Sequence, residues 1–175
     1  MLKKVLLLIV LPLSLLAVLG YYWLGGFNSI DVEVVQLSDR IVVGRTYQGT
    51  YGDLALREIF VKAKQQQERG AVLGILTVVN RDAASGSGEE VNQLIGITLS
   101  APIDSLPAGY VRDTLAAGTY LRARVAANSL AQPRPRAINE RLEAYAAEHG
   151  LTVSGLPIEI YRASDTLWVE MAVTP

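Results

Sequence analysis

The sequence predicts an α+β fold, in which one N-terminal transmembrane helix precedes two β-β-α-β-β modules that form an antiparallel sheet of about eight strands with two helices. Three observations support it. Residues 5–24 carry no charge, strand-like and helix-like periods then follow in the same order twice, and the triplet Gly49-Thr50-Tyr51 returns as Gly118-Thr119-Tyr120. The predicted boundaries are 1–25 for the anchor, 26–30 for a tether and 31–175 for the domain, with modules at about 31–100 and 109–175.

The uncharged N-terminal segment is long enough to cross a hydrocarbon core of roughly 30 Å. Lys3 and Lys4 precede it, and the next basic residue is Arg40. This asymmetry predicts a cytoplasmic N-terminus, an inner-membrane location and a periplasmic or otherwise extracytoplasmic domain. A cleaved signal peptide is the alternative, although no A-x-A-like cleavage site precedes Phe27.

The composition of the chain excludes several classes of function. Without Lys3 and Lys4, 14 basic residues stand against 17 acidic ones, which disfavours a nucleic-acid-binding face. The absence of cysteine excludes disulfides, thiolate metal sites and a lipidated cysteine anchor. The one histidine, His149, directly precedes Gly150 at a predicted helix end, where a structural role is expected. We therefore predict no catalytic residue, no metal site and no cofactor.

The first module is predicted to contain four strands, at residues 31–37, 40–49, 71–80 and 91–100. A helix lies between the second and third strands, begins at the N-cap Asp53 and stops at Gly70. Its apolar stripe has the spacing i, i+3, i+4 and i+7: Leu56, Ile59, Phe60 and Ala63. Glu58 and Lys62 form a predicted i,i+4 pair on its outer side.

The second module repeats this order. We predict a strand at residues 109–118, a helix after Pro133 and Pro135, and two closing strands at 156–162 and 166–173. The apolar face of this helix carries Ile138, Leu142 and Tyr145, and Gly150 ends it. In both modules the repeated triplet is predicted to stand just before the helical half.

Candidate binding residues lie on the closing hairpin. Ile158 and Ile160 alternate with Glu159 and Tyr161, and the aliphatic residues of the last strand alternate with Trp168 and Glu170. If the aliphatic residues face the helices, Glu159, Tyr161, Trp168 and Glu170 share the other face. A carboxylate among aromatic rings suits an organic cation. An ordinary solvated strand face is the open alternative.

The whole of residues 31–175 resembles the GyrI-like small-molecule-binding domain family, in particular its membrane-anchored branch, which includes a single-pass reticulophagy receptor. The resemblance rests on the order of the elements, on a G-x-Y-G turn at residues 49–52, and on Glu159-Ile160-Tyr161 near the end of the domain. It implies a duplicated fold in which a glutamate on a late strand pairs with cationic ligands and aromatic side chains line the pocket. The implied ligand-binding residues are Glu159, Tyr161, Trp168, Tyr51 and Tyr120.

The resemblance thus favours a membrane-anchored, non-enzymatic domain that binds a small cationic or amphipathic ligand in a cleft between its modules. Membrane lipid around the N-terminal helix is a predicted partner, a protein partner is possible, and nucleic acid is not expected. Two alternatives stay open: a membrane-tethered adaptor that binds protein instead of ligand, and a hydrolase of reactive small molecules, since some members of the family are hydrolases.

Overall fold

The computed structural model describes residues 30–82, 90–103, 105–126, 133–162 and 166–175, together with residues 10, 12–15 and 19–20. The short described pieces near the N-terminus are helical. The rest of the predicted anchor at 1–25 and most of the predicted tether at 26–30 lie outside the described residues. Among the residues that are described, no helix has the length and apolar character needed to span a membrane.

Both modules contain the predicted order of elements. The first comprises β1 (Asp31–Leu37), β2 (Arg40–Thr50), α1 (Leu54–Glu68), β3 (Gly74–Asn80) and β4 (Glu90–Leu99). The second comprises β5 (Val111–Leu115), β6 (Gly118–Ala126), α2 (Pro135–Glu148), the short β7 (Thr152–Val153), β8 (Ile158–Arg162) and β9 (Thr166–Thr174). The helices end two residues before Gly70 and Gly150, as predicted.

The strands interlock the two modules in one antiparallel sheet. Its order is β1-β6-β9-β8-β3-β4-β2-β5, and β7 pairs with β9 off this path. β3 and β8 meet at the centre. The first strand of each module crosses over, since β1 pairs with β6 and β5 pairs with β2. Neither half therefore completes its own sheet without the other.

The duplication is visible in this topology and not in the repeated triplet. Gly49 and Thr50 close β2, just before α1, whereas Gly118 opens β6, well before α2 begins at Pro135. The predicted equivalence of the two triplets is therefore wrong. The strand predicted at 109–118 is also wrong in its end, because the chain turns after Leu115 and a separate strand starts at Gly118. At this turn the backbone N–H of Ala117 donates to Asp39.

Both faces of the sheet are buried, because the sheet curls. On the face that carries α1 and α2, here called the helix face, α1 packs over β3 and β4 while α2 packs over β6 and β9. The opposite, second face holds its own apolar core from both modules: Val42, Val79, Leu94, Leu115, Tyr120, Ile158 and Ile160. Arg40 on β2 forms an ion pair with Glu170 on β9, although three strands separate these two in the sheet order. Burial alone therefore does not distinguish the helix face from its opposite.

Candidate functional site

A pocket of about 350 Å³ opens beside the amino-terminal half of α1, where the first module meets β8 of the second. Leu56, Arg57 and Phe60 of α1 line one wall, and Glu159 and Tyr161 of β8 line another. We call this the Glu159 pocket. The pocket lies over the centre of the sheet, where Glu159 of β8 pairs with Val78 of β3. The pocket thus lies at the junction of the two modules.

Glu159 and Tyr161 project from the same face of β8, since residues i and i+2 of a strand share a face. The Tyr161 hydroxyl donates a hydrogen bond of 2.6 Å to Oε2 of Glu159. Burial raises the pKa of the Glu159 carboxyl, and the hydrogen bond from Tyr161 offsets part of this rise. Burial, together with the neighbouring Glu159 charge, also raises the pKa of Tyr161. Tyr161 therefore stays a neutral hydrogen-bond donor at physiological pH.

Aromatic rings frame the carboxylate. Phe60 and Tyr161 meet edge to face, with ring centroids 5.1 Å apart and planes at 78°. Tyr51 lies at the mouth of the pocket and keeps 60% of its surface exposed. Its pKa is raised by partial burial and by the charge of Glu159. The pocket lining thus combines three rings with the carboxylates of Glu159 and Asp53 and the guanidinium of Arg57.

The half-buried Glu159 differs from the completely buried Glu170 in having no cationic partner. Glu170 is completely buried and bonds Arg40 and Arg122, each at 2.7 Å. Among the described residues, no basic nitrogen lies within ion-pair distance of Glu159, and its hydrogen bond comes from a neutral hydroxyl. Desolvation of an unpaired carboxylate is unfavourable, so Glu159 is the place in the pocket where a cation would gain most.

The structure separates the residues that sequence reasoning grouped. In the β8–β9 ladder Glu159 faces Val169, whereas Ile160 faces Trp168 and Ile158 faces Glu170. The predicted shared face of Glu159, Tyr161, Trp168 and Glu170 is therefore wrong. The first pair lies on the helix face and the second pair on the opposite one, together with the isoleucines. The physical reason is the curl of the sheet, which buries aliphatic side chains on both faces.

Trp168 and Tyr120, two of the predicted ligand-binding residues, lie away from the Glu159 pocket. Tyr120 is 5% exposed in the second-face core, and its hydroxyl donates to the carbonyl of Ala116 at 2.7 Å. The Trp168 ring lies against the guanidinium groups of Arg122 and Arg162, whose central carbons are 4.1 and 4.3 Å from its centroid. Both rings already have partners inside the protein.

The α1 residues of the pocket were not identified from the sequence. Leu56 and Phe60 were predicted as core stripe, and Asp53 was predicted as the N-cap. Asp53 does hold the N-cap position, but its carboxylate makes no capping bond and accepts a 2.7 Å hydrogen bond from Tyr47.

His149 has the structural position expected of it. It follows α2 directly, its ring stacks on Tyr145 with centroids 4.0 Å apart, and Nδ1 lies 2.8 Å from the Tyr145 carbonyl oxygen. It lies outside the pocket.

No family model and no curated protein sequence matches the chain. Several solved structures do match it. The EcmrR–DNA complex has a TM-score of 0.58 at 11% identity, covering 98% of this chain and 69% of that one, and the EcmrR C-terminal domain has 0.56 at 12%, covering 83% and 98%. SAV2435 bound to tetraphenylphosphonium has 0.51 at 19%, covering 83% and 94%.

A hydrolase from Listeria innocua also matches, with a TM-score of 0.51 at 8% identity, covering 85% of this chain and 95% of that one. At such identities the likeness concerns the fold. The chain shares the fold of the EcmrR C-terminal domain and of SAV2435.

Proposed function

We propose that this domain binds a small, amphipathic organic cation in the Glu159 pocket. Glu159 supplies the opposite charge, and Tyr161, Phe60 and Tyr51 supply the walls. The observation that carries the proposal is the contrast between two glutamates: the buried Glu170 is neutralised by two arginines, whereas the half-buried Glu159 has only a neutral hydrogen-bond donor. Tyr120 and Trp168 are not part of this proposed site.

Physical chemistry favours a cation with an apolar body. A buried carboxylate regains on pairing part of the free energy that it lost on desolvation, and ring faces attract positive charge. The pocket volume of about 350 Å³ falls within the range of roughly 300–1,000 Å³ that small-molecule sites span. SAV2435, which has the same fold, is bound to tetraphenylphosphonium, a lipophilic cation. This supports a ligand of the same chemical class here.

The experiment uses the full chain in a non-ionic detergent and tetraphenylphosphonium as the probe, with affinity measured by calorimetry. Glu159→Gln keeps the shape of the side chain and removes its charge. We expect the variant to bind at least about tenfold more weakly, since a desolvated charge pair contributes more than 1.4 kcal/mol. Glu58→Gln, which removes an exposed carboxylate of α1 outside the pocket lining, is the control and should bind like wild type.

Neutral triphenylphosphine oxide separates charge from apolar contact, and we expect it to bind wild type and Glu159→Gln equally weakly. Equal affinity of both proteins for tetraphenylphosphonium would contradict the proposed role of Glu159. The open pocket supports ligand binding over the adaptor alternative, which expects a filled cleft with Glu159 in solvent.

The Glu159–Tyr161 pair also favours one second candidate function, hydrolysis of a reactive small molecule. A carboxyl with a raised pKa beside a neutral phenol can donate a proton to a leaving group or accept one from water. The test incubates the protein with a panel of strained-ring electrophiles and follows the gain of one water by mass spectrometry. Turnover that Glu159→Gln abolishes would make hydrolysis the primary function, and no turnover would leave binding alone.

We also propose that residues 1–25 anchor the protein in the inner membrane, with the domain on the extracytoplasmic side. The uncharged run at residues 5–24 and the position of Lys3 and Lys4 support this. We expect the protein to resist alkaline extraction from membranes. We also expect a C-terminal alkaline phosphatase fusion to be active. Extraction by alkali, or an inactive fusion with the protein present, would contradict it.

A further inference from the structure

A second pocket, of about 390 Å³, lies beside the carboxyl-terminal half of α1. Lys62, Gln65 and Gln66 of α1 and its C-cap residue Arg69 form one wall, with the spacing i, i+3, i+4 and i+7 that puts them on one side of the helix. Arg45 of β2 lies opposite. We call this the basic pocket. It shares no lining residue with the Glu159 pocket.

The charged side chains that line the basic pocket are all positive. Arg45, Lys62 and Arg69 line it, and none of the described lining residues is acidic. Within the described chain, Arg45 and Arg69 have no carboxylate within ion-pair distance, and Lys62 has only an exposed pair with Glu58 at 3.9 Å. Arg69 also stabilises the negative end of the α1 dipole. The helix dipole does not account for Arg45, because Arg45 lies on a strand.

The segment before β5 fixes the far wall. The Tyr110 N–H donates to the Pro107 carbonyl at 3.0 Å, closing a turn in which Gly109 has a φ of +77°. This left-handed conformation favours glycine. A side chain at Gly109 would also meet the Arg45 guanidinium, because a Cβ there would lie 3.5 Å from Nη2. The turn therefore brings Gly109 close to the Arg45 guanidinium at the pocket.

The neutral polar groups of the basic pocket also suit an anion. The Tyr110 hydroxyl donates to Oε1 of Gln66. The amide of Gln66 therefore has its two N–H bonds left to offer a ligand. Pro107, Ala108 and Ala71 add apolar wall. Guanidinium and amide donors around one cavity match the oxygen atoms of a phosphoryl group.

From these observations we propose that the basic pocket is a binding site for a phosphoryl group, contacted by Arg45 and Arg69, separate from the cation site at Glu159. The phosphoryl group could come from a free phosphorylated compound or from an anionic lipid headgroup. Both sources share the same chemistry, and the test distinguishes them.

The test measures binding of inorganic pyrophosphate to the full chain in non-ionic detergent, at low ionic strength, by calorimetry. We expect saturable binding by wild type, weakened about tenfold by Arg45→Gln and by Arg69→Gln, since each removes a charge-assisted hydrogen bond. Arg112→Gln, an exposed arginine of β5 outside the pocket, is the matched control. It should change affinity less than about twofold, as screened surface charges do. Glu159→Gln should also bind pyrophosphate like wild type, so failure of this proposal and failure of the proposed cation site are distinguishable.

A second arm uses the chain in nanodiscs of phosphatidylcholine, with soluble phosphatidylglycerol of short acyl chains as the probe. Lipid binding that needs Arg45 and Arg69, without pyrophosphate binding, would support the site and assign the headgroup as its source. Two results would overturn the proposal: no saturable binding of either probe, or equal weakening by Arg112→Gln and Arg45→Gln, which would indicate a diffuse electrostatic effect.

Discussion

The hydroxyl of Tyr161 donates a 2.6 Å hydrogen bond to Oε2 of Glu159, two residues earlier on the same strand. The pair stands at the junction of the two modules, because β8 carries it and β3 of the first module flanks it. A neutral phenol stabilises the ionised carboxylate only partly, and burial still raises the pKa of Glu159. Among the described residues, no cation pairs with Glu159, although Arg57 also lines the pocket.

The first prediction concerns stability against pH. The folded-state pKa of Glu159 lies above its ordinary value of 4.5. Below that pH the carboxyl is protonated in both the folded and the unfolded protein, so its contribution to stability is fully present. This contribution is lost as the pH rises through the raised pKa, because the folded protein must then hold an ionised carboxylate. Glu159→Gln does not ionise, and its amide oxygen can still accept from Tyr161. Melting temperatures of the ligand-free proteins should therefore be similar at low pH, and the variant should melt higher at neutral pH, by about 2–4 °C for each kcal/mol. A difference that does not change with pH would contradict this.

The second prediction concerns the hydroxyl of Tyr161. Tyr161→Phe keeps a ring against Phe60 but removes the hydrogen bond that lowers the pKa of Glu159. The carboxylate then ionises at higher pH. Since the ionised form attracts the cation, tetraphenylphosphonium affinity should rise with pH in both proteins, with the midpoint of the variant at a higher pH than that of wild type. Calorimetric titrations across pH measure the midpoint. Tyr145→Phe, on α2, is the control, and a midpoint unchanged by Tyr161→Phe would contradict the coupling.

Local patterns of the sequence were sufficient to predict both helices. The α1 stripe packs as predicted, with Ala63 buried and Phe60 against the sheet. On α2, Ile138 and Leu142 are buried as predicted. These features depend on spacing within one element, and the i,i+4 pair of Glu58 and Lys62 forms for the same reason, at 3.9 Å.

The orientation of β8 could not be predicted in this way, although the aliphatic residues of β9 do pack on the helix face. Alternation shows that Ile160 and Glu159 point in opposite directions, but it does not say which direction faces the helices. The usual assumption, that aliphatic side chains face the helices, fails because Ile160 packs into the second-face core. That core exists only once both modules have joined. The pocket likewise depends on the contact of α1 with β8, two elements far apart in the sequence.

The third prediction concerns the completely buried Glu170. It joins Arg40 of the first module to Arg122 of the second, and the Nε and Nη2 atoms of Arg40 are buried without a hydrogen-bond partner within the described structure. Removing the carboxylate would leave two guanidinium groups largely buried without their counter-charge. We expect Glu170→Ala to lower the free energy of unfolding by about 3–5 kcal/mol, measured by urea denaturation.

Glu33→Ala is the control for this variant, because Glu33 also pairs with Arg122, at 3.6 Å, but is 41% exposed. Its loss should be below about 1 kcal/mol. Similar losses for the two variants would show that Glu170 does not hold the modules together.

The fourth prediction concerns Gly44 and Gly96, which stand directly opposite each other in the β2–β4 ladder. The strands approach so closely here that a Cβ on Gly44 would lie 2.3 Å from the Ile95 carbonyl oxygen, and one on Gly96 would lie 2.0 Å from that of Val43. These contacts are with backbone, which cannot move aside as a side chain can. Alanine at either position should therefore force β2 and β4 apart and lower the free energy of unfolding by about 1–3 kcal/mol.

Gly118→Ala is the matched control, since Gly118 also lies in a strand but its nearest neighbour would be 4.0 Å from a new Cβ. It should unfold in urea like wild type. Because the two clashes occur in one place, the double variant Gly44→Ala/Gly96→Ala should lose less stability than the two single losses added together. Additive losses would mean that each glycine acts separately. A Gly44→Ala variant as stable as wild type would show that the strands can separate without disturbing the sheet.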